Sequence, residues 1–549
     1  MLGSFRRPWL MGIDMQFPAG SKVLFVGEGD FSFVATIVKE ECNAEVHVIA
    51  SCLQEELKER ARKNIEILTK RGVQIVLGVD ATKLHHHPII KYHKFTHIVF
   101  NFPHVGGKMR IDLNRKLLRG YFESAVCVIG EFGQVWITLC AGQGGIPLDP
   151  VIRRWEDSWQ VVHMASYADL VLRDFRRFDA SKYSGYSATG YRSMEKGFHQ
   201  QGSFTYVFEK SVIALDSNDY SPLSVENIHI HDGNHLKVPC FLYSRIKKNM
   251  FSSRFNIIGY LFHMLKEHIA KTIPVYSGSD VVFGKNMQLR TLSVFESFSL
   301  YAKLDKKNIY FHPAYRIDTT HGFQMDPLAI FVCSGNIDVI EDVLSKELSM
   351  EIINISKSYL SKIRTVIFDN HVEEKLYISE NGVKDQIDNS ESTTSLFVIN
   401  LSSVASLCFD VDLDELWASD QSLSSNDGIT TYSSWSMFPP EYAYDLSFWE
   451  PTPSTQATDY NQLFPSNLGD TNTGFDQALV GVVIINVARD ALKGYELLST
   501  YIHPNVKKRS YTYRIKYRSF KGALSAFKAK EIHSKIGKEL EEYLGAKIR

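Results

Sequence analysis

Between residues 20 and 210, short apolar runs rich in β-branched side chains alternate with longer amphipathic stretches. Six runs read as strands buried on both faces: KVLFV (22–26), EVHVIA (45–50), VQIVLG (73–78), HIVFNF (97–102), QVWITLC (134–140) and SFTYVFEK (203–210). QEELKERARKNIEILTK (54–70) and DLNRKLLRGYFESAVCVI (112–129) read as helices between them. That order predicts an α/β fold with a doubly wound, Rossmann-like parallel sheet.

A different pattern closes the chain. In HPNVKKRSYTYRIKYR (503–518) the residues alternate, so one strand face carries Tyr511, Tyr513, Ile515 and Tyr517 and the other Thr512, Arg514, Lys516 and Arg518. The first face can bury; the second is cationic. SAFKAKEIHSKIGKELEEYLG (525–545) reads as a closing helix with Ile532, Ile536, Leu540 and Leu544 on one face, Ser525 as N-cap and Gly545 as the left-handed stop. DLSFWE (445–450) reads as the first strand of this unit. In the intervening region, FNIIGYLFHMLKEHIAKTI (255–273) reads as an apolar helix and LAIFVCSGNIDVIEDVLSKEL (328–348) as strand then helix. The polar runs 374–395 and 418–434 read as loops or linkers. The expected division is 1–212, an unassigned middle at 213–430, and 431–549.

Composition changes this picture in three places. With 549 residues the chain exceeds one core, and 44% hydrophobic and 22% charged residues place it among globular proteins. The net charge of −1 hides a basic tail: from Lys507 onward there are thirteen Lys or Arg against four Glu. Such asymmetry is the footprint of a nucleic-acid partner. Seven cysteines without CxxC pairs argue against zinc and disulfides and for a reducing, intracellular compartment: cytoplasm, nucleus or nucleolus. Two arginines before the first acid leave a mitochondrial destination open. No apolar run approaches the roughly 20 residues that span a bilayer, so no membrane partner is expected.

The candidate chemistry begins with GEGDFSF, Gly27 to Phe33, a glycine turn directly after the first strand. A dinucleotide would set its pyrophosphate there, beside the negative charges of Glu28 and Asp30, and Ser32 stands where a third glycine belongs. A cationic ligand such as S-adenosylmethionine suits those acids better. Other positions carry two readings each: Asp80 as ligand contact or turn cap, Asn101 as site residue or turn residue, His104 as site base or surface histidine. His85 to His87 lack a second ligand group and read as solvated loop, with no metal expected. SGYSATGYRS (184–193) fits a substrate-side loop or a surface connection equally.

YDLSFWE, His503-Pro504, Ser510, Tyr513-Arg514 and the terminal LGAKIR together resemble the ferredoxin-fold anticodon-binding domain of phenylalanyl-tRNA synthetases, over about 437–549. The resemblance implies an α+β ferredoxin-like fold, tRNA contact through Arg514, Lys516 and Arg518, and a helix at FDQALVGVVIINVARD (475–490), although VVII is β-prone. GEGDFSF, GVDAT (78–82), VFNFPHVGGK (99–108), NRKLL and the GxGG turn after the fifth strand resemble the rRNA uridine-N3 methyltransferase-like family, over about 20–210. This second resemblance implies that Gly27, Glu28, Gly29 and Asp30 cradle S-adenosylmethionine and that Asp80 and Thr82 lie near its adenine. It also places Asn101, Phe102, Pro103 and His104 around the target base, with His104 as the group that takes the uridine imide proton.

Two positions depart from the family pattern. ASCLQEEL stands where an acid for the ribose hydroxyls is usual, and Cys140 stands where the family reads lysine. The expectation is an RNA-binding protein (tRNA, rRNA or both) with an S-adenosylmethionine-dependent RNA base methyltransferase domain. The alternative is a catalytically inactive scaffold of the same fold. Aminoacylation is disfavoured, since the middle region shows no synthetase motif.

Overall fold

The computed structural model describes residues 17–211 except 41–44, 108–109 and 189–199, and residues 436–549 except 452–476 and 506–507. Between these parts it describes shorter stretches, the longest named below.

The first part is a seven-stranded sheet in the order β3-β2-β1-β4-β5-β7-β6. Its strands are β1 (Lys22–Val26), β2 (His47–Ser51), β3 (Gln74–Val76), β4 (Phe95–Asn101), β5 (Ile129–Leu139), β6 (Leu170–Arg177) and β7 (Phe204–Lys210). Its helices are α1 (Ser32–Glu40), α2 (Glu59–Lys70), α3 (Ile111–Val128) and α4 (Val161–Ser166). Alternation on the strands feeds two cores. Leu24, Val26, Ile98 and Phe100 face α3, while Val23, Phe25, Val99 and Trp136 pack with Phe33, Val34 and Ile37 of α1.

The wholly parallel sheet expected from the sequence holds only through β5. β7 runs antiparallel to both β5 and β6. β6 escapes sequence reading because half of LVLRDFRR is charged; Arg173 pairs with Glu209 of β7 at 3.0 Å and Arg176 with Asp174 along the same strand at 2.7 Å. A charged edge strand is a usual guard against aggregation.

In the middle region, β8 (Val225–His229) and β9 (His235–Pro239) form a hairpin followed by α5 (Cys240–Lys247). α6 (Ile257–Thr272) is the expected apolar helix. A six-stranded sheet follows, made of β10 (Val275–Ser277), β11 (Val282–Lys285), β12 (Ile309–Asp318), β13 (Gln324–Ser334), β14 (Leu376–Ile378) and β15 (Thr394–Asn400). The helix expected after Ser334 lies outside the described residues. The polar runs read as loops carry strands: β14 and the start of β15 in the first, β16 (Ser424–Asn426) and β17 (Ile429–Thr431) in the second. Between β16 and β17 stands Asp427-Gly428, a short-hairpin signal that the Ser-rich composition obscures.

The tail is a four-stranded antiparallel sheet, β19-β20-β18-β21, from β18 (Tyr442–Trp449), β19 (Leu492–Ile502), β20 (Arg509–Tyr517) and β21 (Lys547–Ile548). Tyr511, Tyr513, Ile515 and Tyr517 are buried, as the alternation predicts. They pack with α7 (Gln477–Ala488) and α8 (Ala526–Leu544). The Ser525 hydroxyl caps α8 by accepting Lys528 N–H at 3.3 Å, and Gly545 ends it at φ +64. α7 is helical despite VVII because it is buried nearly all round, and burial overrides propensity. Leu223 joins this core, and the Asn486 amide of α7 donates to the carbonyls of Pro222 and Ser224 and accepts Phe241 N–H at 3.1 Å.

The two terminal parts are in direct contact. Met437 sits in the core around α3 and α4, and its N–H donates to Leu172 O of β6 at 2.7 Å. Ser211 Oγ donates to Lys521 O, Ala523 N–H donates to Ser211 O, and Lys528 pairs with Asp169.

Candidate functional site

At the carboxyl end of β1 the chain turns through Gly27, at φ +70; a Cβ there would collide with the Phe100 ring. Gly27 and Gly29 are exposed, while Glu28 and Asp30 are each buried to 6%. Both acids serve α1: Asp30 Oδ1 accepts Ser32 N–H at 3.0 Å, and the Glu28 carboxyl accepts Val34 N–H. Arg60 of α2 reaches Asp30 Oδ2 at 2.9 Å. A helix N-terminus usually offers free N–H groups and positive field to a phosphate. Here the Asp30 and Glu28 side chains already occupy it, so a phosphate would have to displace them and meet the Asp30 carboxylate. Burial, then the neighbouring Asp30 charge, push the Glu28 carboxyl up to about 8.

Beside this turn, at the end of β2, Ser51 Oγ turns inward to Phe25 O at 2.9 Å. Cys52 is buried, and burial pushes its thiol up to about 11. Glu55 is exposed, and its carboxylate lies over Gly78: a Cβ at Gly78 would sit 3.0 Å from Glu55 Oε1. An acid therefore reaches the carboxyl ends of β2 and β3 from a position later in the sequence than the family pattern places it. Asp80 and Thr82 are bonded to each other, with Asp80 Oδ1 accepting both Thr82 N–H at 2.9 Å and Thr82 Oγ1 at 2.7 Å. The two residues open the 3-10 turn Ala81–His86. His87 Nδ1 in turn accepts Ile89 N–H at 3.3 Å.

At the end of β4, Asn101 Oδ1 accepts Thr138 Oγ1 at 2.6 Å, and Thr138 is bonded onward to Thr205 at 2.9 Å. The Asn101 Nδ2 group is buried and, among the described residues, has no acceptor. Phe102 follows at φ +48, which swings the chain outward. His104 Nδ1 accepts Gly106 N–H at 2.7 Å, and burial lowers its pKa. The neutral ring then carries its proton on Nε2. Asn114 of α3 fixes this loop by accepting Val105 N–H at 3.1 Å and donating to Arg110 O at 2.9 Å.

After β5, Asp149 anchors the glycine-rich turn: its Oδ2 accepts Gly145 N–H at 2.7 Å and its Oδ1 accepts the Tyr206 hydroxyl at 2.7 Å. Exposed Arg153 packs over Gly142, its Nε 3.0 Å from where a Cβ there would stand. Its charge acts on the Cys140 thiol, which burial nonetheless pushes up to about 11. The cation missing at position 140 is thus replaced in space by one thirteen residues on. Sequence reasoning missed Asn114, Asp149 and Arg153; only Asn114 lies in a motif it had quoted, NRKLL.

The glycine turn, the end of β3 and the Asn101 loop thus stand together at the carboxyl edge of the parallel strands, where open sheets bind ligands. Residues 24–190 match the family model of rRNA (uridine-N3-)-methyltransferase BTM5-like proteins. The chain is similar to mouse (Mus musculus) ferredoxin-fold anticodon-binding domain-containing protein 1 homolog, 40% identical over 195 residues covering 35% of this chain and 31% of that one. The human (Homo sapiens) ferredoxin-fold anticodon-binding domain-containing protein 1 is also 40% identical, over 199 residues covering 35% and 32%. A Saccharomyces cerevisiae mitochondrial phenylalanine–tRNA ligase is 24% identical over 164 residues, 29% of this chain and 32% of that one. The matched part spans about a third of each of these relatives.

In the tail, the cations on the outward face of β20 meet acids on the neighbouring strands. Arg514 Nε and Nη2 grip both Asp445 oxygens at 2.8 and 2.9 Å, and Lys516 meets Glu496 at 3.1 Å. Arg518 stands 3.9 Å from Glu441 and over the Phe520 ring. Among the described residues no helix is long and apolar enough to cross a membrane, and no three metal-binding side chains cluster.

Proposed function

We propose that this chain is an RNA-binding protein whose N-terminal domain transfers a methyl group from S-adenosylmethionine to an RNA base, uridine N3 on the family resemblance, and whose tail binds tRNA. The observation that carries the reading is the acid-capped glycine turn. Its exposed glycine backbone admits a ligand, its two acids already take up the first-turn N–H groups a phosphate would need, and the Asp30 carboxylate favours a cation beside them. That matches the sulfonium and ammonium of S-adenosylmethionine, and Glu55 over Gly78 supplies the acid for its ribose hydroxyls.

When bound, the cofactor supplies an electrophilic methyl group. The chain's own residues position the acceptor, and most of the acceleration comes from that. Asn101, oriented by Thr138, offers its unpartnered Nδ2 to a base carbonyl. His104 is kept neutral by burial and takes the imide proton on Nδ1 once the ring releases Gly106 N–H. Arg153, at the acceptor side of the turn, faces the phosphates of the approaching strand. The paired cations of β20 exchange their carboxylates for RNA phosphates.

A scaffold without methyl transfer is favoured by one observation: Cys140 carries no charge where the family carries lysine. Calorimetry of the full chain with S-adenosylmethionine and with its demethylated product, S-adenosylhomocysteine, separates the readings. Binding, together with its loss in a folded Gly29→Asp variant, supports the enzyme. No binding by the folded wild type leaves the scaffold.

A further inference from the structure

The connection between β6 and β7 carries SGYSATGYRS, whose described residues end at Ala188. Tyr183–Ala188 is pinned to α1 rather than laid loosely over the surface. The Thr36 hydroxyl shares its proton between Ser32 O of its own helix at 3.0 Å and Ser184 O at 3.2 Å, and Ser32 Oγ accepts Ser187 N–H at 3.2 Å. Gly185, at φ +95, makes the turn between these two fastenings. The rings of Tyr183 and Tyr186 lie 4.9 and 5.2 Å from Phe33, and Tyr183 stacks on Phe178 at 5.5 Å. Ser32 and Thr36 belong to the helix that begins at the glycine turn, so the strap is tied directly beside the ligand site. Consistent with that placement, Glu28, Asp30 and Cys140 all lie within electrostatic reach of the Tyr186 hydroxyl, and burial with these neighbours keeps it protonated.

We propose that Tyr183–Ala188 is a strap roofing the site between the glycine turn and the acceptor side, and that Tyr186 is a positioning residue whose phenol lies against the bound nucleoside. The ligand class rests on the methyltransferase reading; the roof does not. Three facts distinguish a roof from a surface connection. Two polar fastenings hold the ends of the strap, aromatic packing holds its middle, and its half-buried Tyr186 lies within electrostatic reach of groups on the turn after β1 (Glu28, Asp30) and just after β5 (Cys140), which no local turn would bring together. An ordered loop must offset the backbone entropy lost on ordering it, and these contacts are what offset it.

The test uses the full chain with Tyr186→Ala and Tyr186→Phe. Cys140 alkylation by iodoacetamide is followed by peptide mass spectrometry, with exposed Cys127 as internal control. S-adenosylhomocysteine affinity is measured by calorimetry. Removing the ring opens the site, so Tyr186→Ala raises the Cys140 rate about fivefold or more relative to Cys127 and weakens the ligand about tenfold. Tyr186→Phe keeps the ring, leaving Cys140 protected and the affinity lowered by about threefold at most. A Cys140 rate unchanged in Tyr186→Ala overturns the roof. Wild type that binds no S-adenosylhomocysteine overturns the cofactor reading instead, and the labelling rates still decide the roof.

Discussion

A carboxyl group buried beside a second acid holds its proton into the neutral range, and Glu28 does so up to about 8. In the unfolded chain the same group ionises near 4.5. Between those values the folded state binds more protons than the unfolded one, so the Glu28 contribution to stability is full below that window and falls as pH rises through it. Glu28→Gln removes the titration and keeps an acceptor for Val34 N–H. Its melting temperature should match wild type near pH 5 and exceed it near pH 9, by roughly 2–4 °C for each kcal/mol regained. A difference independent of pH would show that Glu28 is ionised in the fold. At this scale the sequence exposes what is local: GEGDFSF names the turn, and Asp80 shows its capping role two residues away at Thr82. It hides what is distant. Nothing in the neighbourhood of Asp149 announces Tyr206, 57 residues on, and nothing at Cys140 announces Arg153.

For whole elements, legibility follows periodicity. The period-two pattern of β20 and the capped, four-spaced face of α8 read directly, because each is written within one segment. Ser525→Ala should cost about 1 kcal/mol in denaturant titration of the tail. Pairing between strands is not written there. The register that sets Asp445 opposite Arg514 and Glu496 beside it is fixed by neighbours about 70 and 20 residues away, so a face that reads as cationic is partly neutralised. RNA binding through β20 must therefore displace carboxylates. Asp445→Asn should tighten tRNA binding and steepen the salt dependence by about one counterion, and Arg514→Glu should do the reverse. Titrations at several salt concentrations give both slopes, and slopes unchanged in both variants would place the RNA elsewhere. Two of the elements missed, β6 and β19, are edge strands. One is half charged, and most of the other is solvent-exposed, so neither shows the apolar signature of a buried strand.

Across the whole molecule, the terminal parts read as separate units in sequence, yet they share a core residue. Met437 is 5% exposed among side chains of the first sheet's core, although it precedes the tail's first strand. Met437→Ala should cost about 2–5 kcal/mol, and the cost should appear in the N-terminal unit. Hydrogen exchange in β6 reads it: faster exchange there, with β20 unchanged, is the expected result, and an effect confined to the tail would contradict the shared core. A single methionine in a connecting segment carries no pattern that sequence reading can use. The same Met437 sets a clock on synthesis. The last strand of the first sheet is complete at Lys210, and Met437 leaves the ribosome about 230 residues later. At roughly 5–20 residues per second, the outer edge of β6 waits about 11–45 s for its cover. A nascent chain in that interval, or one truncated upstream of Met437, presents an open strand edge and an unfilled core position to whatever chaperone or neighbouring chain is within reach.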